Sequence, residues 1–377
     1  MVGNAVDALV VGAGPGGAVA ALQLARRGLR PLLLDAKPFP RVKPCAGGIS
    51  PRGRSVLRRL GLWDKISAAG YTIEGIRLVA PSGRETTLLG AESAVVLPRD
   101  RLDAMLVEEA VHAGASFRDG TRAAELLVED GRAAGVRTAT GEELRARWVL
   151  AADGAPGRFA ADPRPRYVLH SCMGWYEGLP FTPHLLEMMF DPALVPHYGW
   201  LFPEGPERVN IGICVEPQRH AGTPIRELFQ RFLDKYFAER LRGARQIGDW
   251  RGHPIVATVG IEHHAPPGVL LVGEACRLVN CATGEGISYA MQSAMLAGDA
   301  VADACDDPST SSGQAAGDLL DVSKGYERGL RKALALPYYA SDLFRRRGMA
   351  LLDPIARLGN NALFRRLTRQ PPASPTA

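Results

Sequence analysis

Two short apolar runs flank a helical stretch at the start of the chain. Residues 7–11 read DALVV and residues 30–36 read RPLLLDA, which predicts two buried strands. Between them, the segment AVAALQLARRG predicts a helix that ends at Gly28. A strand, a helix and a second strand in quick succession predict a βαβ unit with parallel strands.

Buried strands recur further along the chain, and the pattern changes between them. RWVLAADG and PPGVLLVGEACRLVN predict apolar strands, and TGEGISYAMQSAMLAGDAVADAC predicts a long helix of small residues. The segments 71–97 and 161–264 have alternating patterns, and the second is richer in proline and aromatic residues. These patterns predict a mostly antiparallel sheet with one helix at 225–237.

The order of these elements predicts an α/β fold, in which a β-rich substrate domain is inserted into a Rossmann-type nucleotide-binding domain. A polar segment and a basic helical tail follow. The predicted boundaries are 1–70, 98–160 and 265–305 for the nucleotide-binding domain, 71–97 and 161–264 for the substrate domain, 306–318 for a flexible linker and 319–377 for the tail.

The 377-residue chain has a net charge of +5, which is concentrated in the tail. From Leu320 onward the net charge is +7, whereas the preceding residues carry −2. Nucleic-acid binding needs a basic stripe on the folded body, so this near-neutral body argues against a nucleic-acid-binding protein.

The six cysteines form no CxxC pair and no cluster with histidine, which predicts a reduced, cytoplasmic protein without a metal site. No apolar run is long enough to predict a membrane span.

The turn after the first strand has the features of a dinucleotide site. Gly12 permits a tight turn, Gly14 lets the backbone approach a pyrophosphate, and Gly17 permits close packing of helix on strand. The following helix offers its N–H groups and the positive end of its dipole to phosphate. Asp35 ends the second strand, where a carboxylate can accept a hydrogen bond from an adenosine ribose.

Four motifs along the chain together carry a family resemblance. They are the glycine fingerprint with Asp35, FPRVKPCAGGIS at 39–50, YGWLFP at 198–203 and VGEACRLVNCATGEGI at 272–287. Together they resemble the geranylgeranyl reductase family of FAD-dependent oxidoreductases, within the para-hydroxybenzoate hydroxylase-like flavoproteins. The YxWxFP signature narrows that group to this family. Arg99, in an RxxLD segment, and Asp153-Gly154 also fit the group.

The resemblance implies FAD as the cofactor and hydride transfer to carbon–carbon double bonds of an isoprenoid or similarly apolar substrate. It also implies that Cys45 lies beside the flavin ring and the substrate, where a thiol could donate a proton. Residues 283–286 are expected to open a helix whose N–H groups stabilise negative charge on the reduced flavin. The predicted cofactor-binding residues are Gly12, Gly14, Pro15, Gly16, Gly17, Asp35, Ala46, Gly47, Arg99, Asp153, Gly273, Glu274, Gly284, Gly286 and Ile287.

The chain departs from the group's pattern at two places. It has Gly273-Glu274 where the group has Gly-Asp, and Cys281-Ala282 where the group usually has proline before the GEGI segment. We expect the longer carboxylate of Glu274 still to reach the ribityl or pyrophosphate region of the cofactor.

Three aromatic side chains alternate within YGWLFP. Tyr198, Trp200 and Phe202 therefore lie on one face if this segment is a strand. An aromatic wall of this kind suits an extended apolar substrate, and a stripe that faces the core is the alternative. We predict these three residues as substrate-binding.

Other functions remain open on the sequence. An FAD-dependent monooxygenase, either a hydroxylase or halogenase-like, would use the same cofactor on an apolar or aromatic metabolite, although the group's halogenases lack the Cys-Gly segment. A non-catalytic lipid-binding flavoprotein is the third candidate. The electron donor is expected to be NADPH or NADH, with ferredoxin as an alternative.

The tail alternates apolar runs with arginine clusters. Three placements fit this pattern: contact with the inner face of an anionic membrane, packing on the body, or a dimer contact.

Overall fold

The computed structural model describes residues 6–160, 167–220, 222–257, 260–261, 263–306 and 316–359. The strands are β1 (Val6–Val11), β2 (Pro31–Leu34), β3 (Gly48–Ile49), β4 (Tyr71–Val79), β5 (Glu85–Val96), β6 (Ser116–Arg118), β7 (Ala123–Glu129), β8 (Arg132–Thr138), β9 (Glu143–Ala151), β10 (Tyr167–Glu177), β11 (Leu185–Met189), β12 (Gly199–Pro203), β13 (Arg208–Val215), β14 (Arg245–Ala257) and β15 (Val269–Leu271). The α-helices are α1 (Pro15–Arg26), α2 (Pro51–Arg59), α3 (Trp63–Ala69), α4 (Arg99–His112), α5 (Ile225–Tyr236), α6 (Ala238–Leu241), α7 (Ile287–Asp306), α8 (Ala316–Arg347) and α9 (Met349–Gly359).

These elements divide between two compact units. The first unit contains Met1–Lys43, Arg99–Val168 and Ile255–Ser341, and the second contains Pro44–Pro98, Leu169–Pro254 and Asp342–Ala377. Residues 44–70, which were predicted in the nucleotide-binding domain, therefore lie in the second unit. The reason is that β3 pairs with β5, with Gly48 opposite Val96 and Ile49 opposite Val95.

The first unit is built on a parallel sheet with the order β6-β2-β1-β9, and β15 lies beside β9. The predicted βαβ unit is present as β1, α1 and β2, with Val10 opposite Leu33 in parallel register. The start of β9 instead pairs antiparallel with β8, which in turn pairs with β7. Because β1, β2, β9 and β15 run parallel, the loops that follow them share one edge of the sheet.

The second unit is built on a sheet with the order β14-β10-β13-β12-β11-β4-β5-β3. Strand β11 runs parallel to β4, with Met188 opposite Leu78, whereas β10 with β13, β13 with β12, β12 with β11, β4 with β5 and β5 with β3 are antiparallel. One face packs on α5, where Leu201 and Ile211 join the cluster that contains Phe232. Gly199 permits this contact, because a Cβ there would stand 2.1 Å from Cζ of Phe232.

The described part of the tail is helical and amphipathic. One face of α8 is buried, and it carries Leu319, Tyr326, Leu330, Leu334 and Tyr338. The Tyr326 hydroxyl donates to the carbonyl oxygen of Leu271 at 2.8 Å, which attaches α8 to the first unit. In the second unit, Leu352 and Ala356 of α9 pack against Phe190. Residues 307–315 of the predicted linker region and 360–377 of the predicted tail lie outside the described residues.

A buried histidine in the second unit predicts acid sensitivity. His197 is 1% exposed, and burial lowers its pKa to about 4, with Arg345 and Arg219 acting in the same direction against Glu216. The unfolded chain therefore binds the proton more readily, and the free energy of unfolding falls as pH drops from 6.5 towards 4. From pH 7 to pH 5 this residue should account for about 2 kcal/mol of lost stability.

Urea titrations of the FAD-loaded protein at both pH values measure this effect, with His197→Gln as the comparison. The variant should lose less stability than wild type between pH 7 and pH 5. Equal losses in the two proteins would show that other groups cause the acid sensitivity.

Candidate functional site

Four loops meet at the carboxyl-terminal edge of the parallel sheet in the first unit. They begin at Gly12 after β1, Asp35 after β2, Ala152 after β9 and Val272 after β15. Backbone bonds tie these loops to their neighbouring strands, because Gly12 donates to Leu34 at 2.7 Å and Val272 donates to Ala151 at 2.8 Å. The sheet thus brings three predicted motifs from distant parts of the sequence to one edge.

The glycine fingerprint forms a cradle in which side chains do not fit. Gly12 has φ +97°, and a Cβ there would stand 2.4 Å from the carbonyl oxygen of Ala152. A Cβ at Gly17 would stand 1.7 Å from the carbonyl oxygen of Gly12, and one at Gly16 would stand 3.1 Å from Cγ1 of Val272. Helix α1 starts after Gly14 with Pro15 at its first position, without a side-chain cap or an acidic residue in the first turn. Its N-terminal amides therefore suit a pyrophosphate.

A buried charge network borders this turn. Asp103 is 0% exposed and accepts hydrogen bonds from Arg99 at 2.8 Å and from Arg41 at 2.9 Å. A Cβ on Gly14 would stand 3.4 Å from Nη2 of Arg99 and 3.9 Å from Nη2 of Arg41. The guanidinium groups of Arg99 and Arg41 thus lie close to Gly14 in the glycine turn, and hydrogen bonds to Asp103 position both.

Asp35 is tied into the same network. Its Oδ2 atom accepts from the Ala13 amide at 3.0 Å and from Arg41 at 2.9 Å, whereas Oδ1 accepts from the Lys37 amide at 3.0 Å. A carboxylate oxygen has room for more than one donor, so Oδ1 is the atom suited to a ribose hydroxyl. Arg41 and Asp103 are additions to the predicted cofactor-binding residues, and they lie in the FPRVKPCAGGIS and RxxLD segments.

Asp153 supplies a second acceptor at this edge. Its Oδ2 accepts from the Arg158 amide at 2.8 Å, whereas Oδ1 is buried without a partner among the described residues. Burial raises the pKa of this carboxyl group, against the lowering effect of the Arg158 hydrogen bond. A buried oxygen without a partner fits a ligand hydroxyl, and it supports the fit of this edge to FAD.

Glu274 contacts two residues that lie far from it in the sequence. Its Oε1 accepts from the Val256 amide at 3.0 Å, and its Oε2 lies 3.7 Å from Nζ of Lys43. Lys43 stands beside the Asp153 loop, because a Cβ on Gly154 would be 3.5 Å from Nζ. The longer carboxylate therefore fastens the end of β14 and positions a lysine. Gly273 has φ +62° and donates to the Ser293 hydroxyl at 3.0 Å.

The turn before α7 differs from the predicted one, in which residues 283–286 open the helix. Asn280 closes this turn, since its Oδ1 accepts from the amides of Ala282 and Thr283 and its carbonyl oxygen accepts from Gly284. The amides of 283–285 are thus used inside the turn, and the helix starts later, at Ile287. The amides of Gly286 and Ile287 are not among those used inside the turn, and they lie where an anion could approach the start of α7. The sequence signal for Asn280 was its place ahead of a glycine turn.

In the second unit, the Cys45 loop lies against the aromatic strand. The Gly47 amide donates to Sγ of Cys45 at 3.4 Å. Gly47 has φ +72°, and a Cβ there would stand 2.5 Å from the carbonyl oxygen of Leu97. A Cβ on Gly48 would stand 2.9 Å from the ring of Phe202. The loop that holds Cys45 and Ala46 is thus joined directly to the YGWLFP segment.

The three aromatic residues form one row of rings. Ring centroids are 6.3 Å apart for Tyr198 and Trp200, and 6.5 Å apart for Trp200 and Phe202. Trp200 is 6% exposed, because it lies on Gly212, where a Cβ would be 2.3 Å from its ring. Tyr198 and Phe202 are half-buried. Two of the three rings are thus partly open, and Trp200 supports them.

The fold and this edge define an FAD-dependent oxidoreductase, and residues 5–164 match the family model described as FAD binding domain. The chain is 32% identical over 317 residues to digeranylgeranylglycerophospholipid reductase 1 of Methanopyrus kandleri, covering 81% of this chain and 82% of that one. It is 31% identical over 310 residues to the menaquinone reductase of Mycolicibacterium smegmatis, covering 77% and 75%. The chain belongs to the geranylgeranyl reductase family of FAD-dependent oxidoreductases.

A solved structure shares the whole fold. A geranylgeranyl bacteriochlorophyll reductase-like protein of Thermoplasma acidophilum has a TM-score of 0.81 at 23% identity, covering 96% of this chain and 95% of that one. The α/β fold and the family that the motifs indicated are confirmed. None of the helices in the described ranges is long and apolar enough to cross a membrane.

Proposed function

We propose that this protein reduces carbon–carbon double bonds in an isoprenoid chain or a similarly apolar group. The observation that carries this proposal is the contact between the Cys45 loop and the row of Tyr198, Trp200 and Phe202, made through Gly48. The Cys45 thiol and a partly open aromatic wall thus belong to one unit. The two relatives of about 31–32% identity are named as reductases of isoprenoid-bearing molecules, which supports the same chemistry here.

The cofactor and the protein have separate tasks in this proposal. FAD, when bound and reduced, supplies the hydride. The glycine cradle, Arg41, Arg99, Asp35 and Asp153 bind and orient its adenosine and pyrophosphate parts. The aromatic row holds the substrate chain and excludes water, and Cys45 donates the proton that completes the saturated product. NADPH or NADH is the proposed external electron donor, with ferredoxin as the alternative.

Product analysis tests the proposal. The protein is incubated with a prenylated naphthoquinone and NADPH, with and without oxygen, and the masses of the products are determined by mass spectrometry. We expect a product that has gained two hydrogen atoms in the side chain under both conditions. A product that requires oxygen and has gained an oxygen atom would instead support the monooxygenase, and no product with any donor would support a non-catalytic binding protein.

Cys45 should affect turnover more than cofactor binding. If its thiol donates the proton, Cys45→Ala and Cys45→Ser should both lower kcat by about 100-fold, because a hydroxyl is a much weaker acid than a thiol. The FAD content and KM should change little. Serine retains an acceptor for the Gly47 amide, so a residue that only shapes the loop would be replaced by serine without loss of kcat.

We also propose that α8 touches an anionic membrane. Leu336 and Tyr339 are 78% and 71% exposed. The exposed Lys332 lies one turn before Leu336 and two turns before Tyr339, on the same side of the helix. An exposed apolar ridge beside basic residues suits the inner face of a membrane.

Charged substitutions on this ridge should weaken membrane binding. Leu336→Glu with Tyr339→Glu is expected to lower binding to vesicles that contain phosphatidylglycerol by about ten-fold or more, while activity on a detergent-dispersed substrate is kept. Leu89→Glu is the matched control, since Leu89 is 59% exposed elsewhere on the surface. Equal binding by the ridge variant and wild type would exclude this surface.

A further inference from the structure

A buried carboxamide interrupts the aromatic face of the second unit. Asn210 on β13 lies opposite Trp175 on β10 and opposite Phe202 on β12. Residues directly opposite in a sheet project from the same face, so Asn210 stands between these two aromatic side chains. It is 0% exposed.

The orientation of this carboxamide is fixed by a tryptophan. Trp200 donates from Nε1 to Oδ1 of Asn210 at 2.7 Å. An indole nitrogen only donates, so the oxygen must face Trp200 and the NH2 group must face away. Nδ2 of Asn210 has no hydrogen-bond partner among the described residues. A buried NH2 group left without an acceptor costs free energy, which a bound water or a ligand oxygen removes.

The groups around Asn210 indicate which kind of acceptor fits. The Trp175 Nε1 atom already donates to Glu204 at 2.9 Å, and Glu204 also pairs with Arg208 at 2.8 Å. Arg208 is already paired with Glu204, and a neutral carboxamide beside that carboxylate is a poor site for phosphate. A neutral carbonyl oxygen can accept a hydrogen bond from Nδ2 of Asn210 without bringing a charge next to the aromatic side chains.

We propose that Nδ2 of Asn210 donates a hydrogen bond to a carbonyl oxygen of the substrate. This inference rests on the proposed function, and it narrows the substrate class to an isoprenoid chain joined to a carbonyl-bearing group, such as a quinone ring. The aromatic row binds the hydrocarbon, and Asn210 fixes the position of the polar end along it. Asn210 is thus a binding residue that distinguishes such a substrate from a pure hydrocarbon.

The test compares two probes on the FAD-loaded protein. One is a methylnaphthoquinone with a two-unit prenyl chain, and the other is squalene, which has no acceptor. Asn210→Leu and Asn210→Asp both remove the donor, and aspartate retains an acceptor for Trp200. Both variants should weaken the quinone's Kd by about ten-fold, equal to about 1.4 kcal/mol, and leave squalene binding within about two-fold.

Unchanged quinone binding, or equal weakening of both probes, would overturn the inference while leaving the proposed function intact. Binding of neither probe by wild type would overturn both. The infrared band of the bound quinone carbonyl gives a reading on wild type that does not depend on how the variants fold. Its shift to lower wavenumber relative to an aprotic solvent is expected, and an unshifted band would contradict the hydrogen bond.

Discussion

Gly17→Ala should weaken FAD binding by up to about two orders of magnitude. Its Cβ would stand 1.7 Å from the carbonyl oxygen of Gly12, and that atom belongs to the backbone of the cofactor turn, which cannot move aside as a side chain can. Overpacking of this kind costs about 1–3 kcal/mol, so we expect the affinity for FAD to fall by up to about 100-fold. The flavin content after purification and the Kd for added FAD measure the effect.

Gly325→Ala is the matched control for this substitution. Gly325 lies within α8 of the same unit, and a Cβ there would meet nothing within 4 Å. Alanine in a helix interior is more favourable than glycine by about 0.5–1 kcal/mol, so this variant should bind FAD normally and unfold at a slightly higher temperature. Normal FAD affinity in Gly17→Ala would mean that the fingerprint turn does not hold the cofactor.

Asp103→Ala should cost more stability than any substitution of an exposed acid. Asp103 is fully buried, and its removal leaves the guanidinium groups of Arg99 and Arg41 without the carboxylate that they share. Breaking a buried ion pair from one side costs about 3–5 kcal/mol. Urea unfolding of the FAD-free protein measures this loss. FAD affinity should fall as well, since both guanidinium groups stand over Gly14.

Glu142→Gln serves as the control, because Glu142 pairs with Arg118 at 3.0 Å and both side chains are 49% exposed. An exposed pair contributes about 0–1 kcal/mol, so this variant should unfold much as wild type does. A similar small loss in Asp103→Ala would show that Arg99 and Arg41 find other partners and that Asp103 does not organise the site.

The parts of the site that depend on contacts between residues close in the sequence could be predicted from the sequence. Gly12 and Gly17 are required by contacts within one βαβ unit, and that unit is present as predicted. The alternation of Tyr198, Trp200 and Phe202 likewise predicted one shared face, and their rings stand in a row. The family followed from the order of the motifs, and the relatives confirm it.

The remaining features depend on partners that are distant along the chain. Glu274 is engaged by the Val256 amide and by Lys43, and neither partner is indicated by the local Gly-Glu sequence. Trp200 is buried because the strand register brings it over Gly212. The predicted start of the long helix was early, because the side chain of Asn280 closes the turn at 282–284. Register and side-chain caps of this kind require the folded structure.

An anaerobic titration decides whether the protein saturates carbon–carbon double bonds. The FAD-loaded protein is reduced with dithionite in the absence of oxygen. A prenylated naphthoquinone whose ring is already reduced to the quinol is then added in equal amount; the ring hydroxyl oxygens can still accept a hydrogen bond from Asn210. We predict that the absorbance of oxidised flavin returns with one equivalent of substrate and that the prenyl chain gains two hydrogen atoms. If the flavin stays reduced until oxygen enters, or the chain keeps all its double bonds, the protein is not a carbon–carbon double-bond reductase for this substrate class.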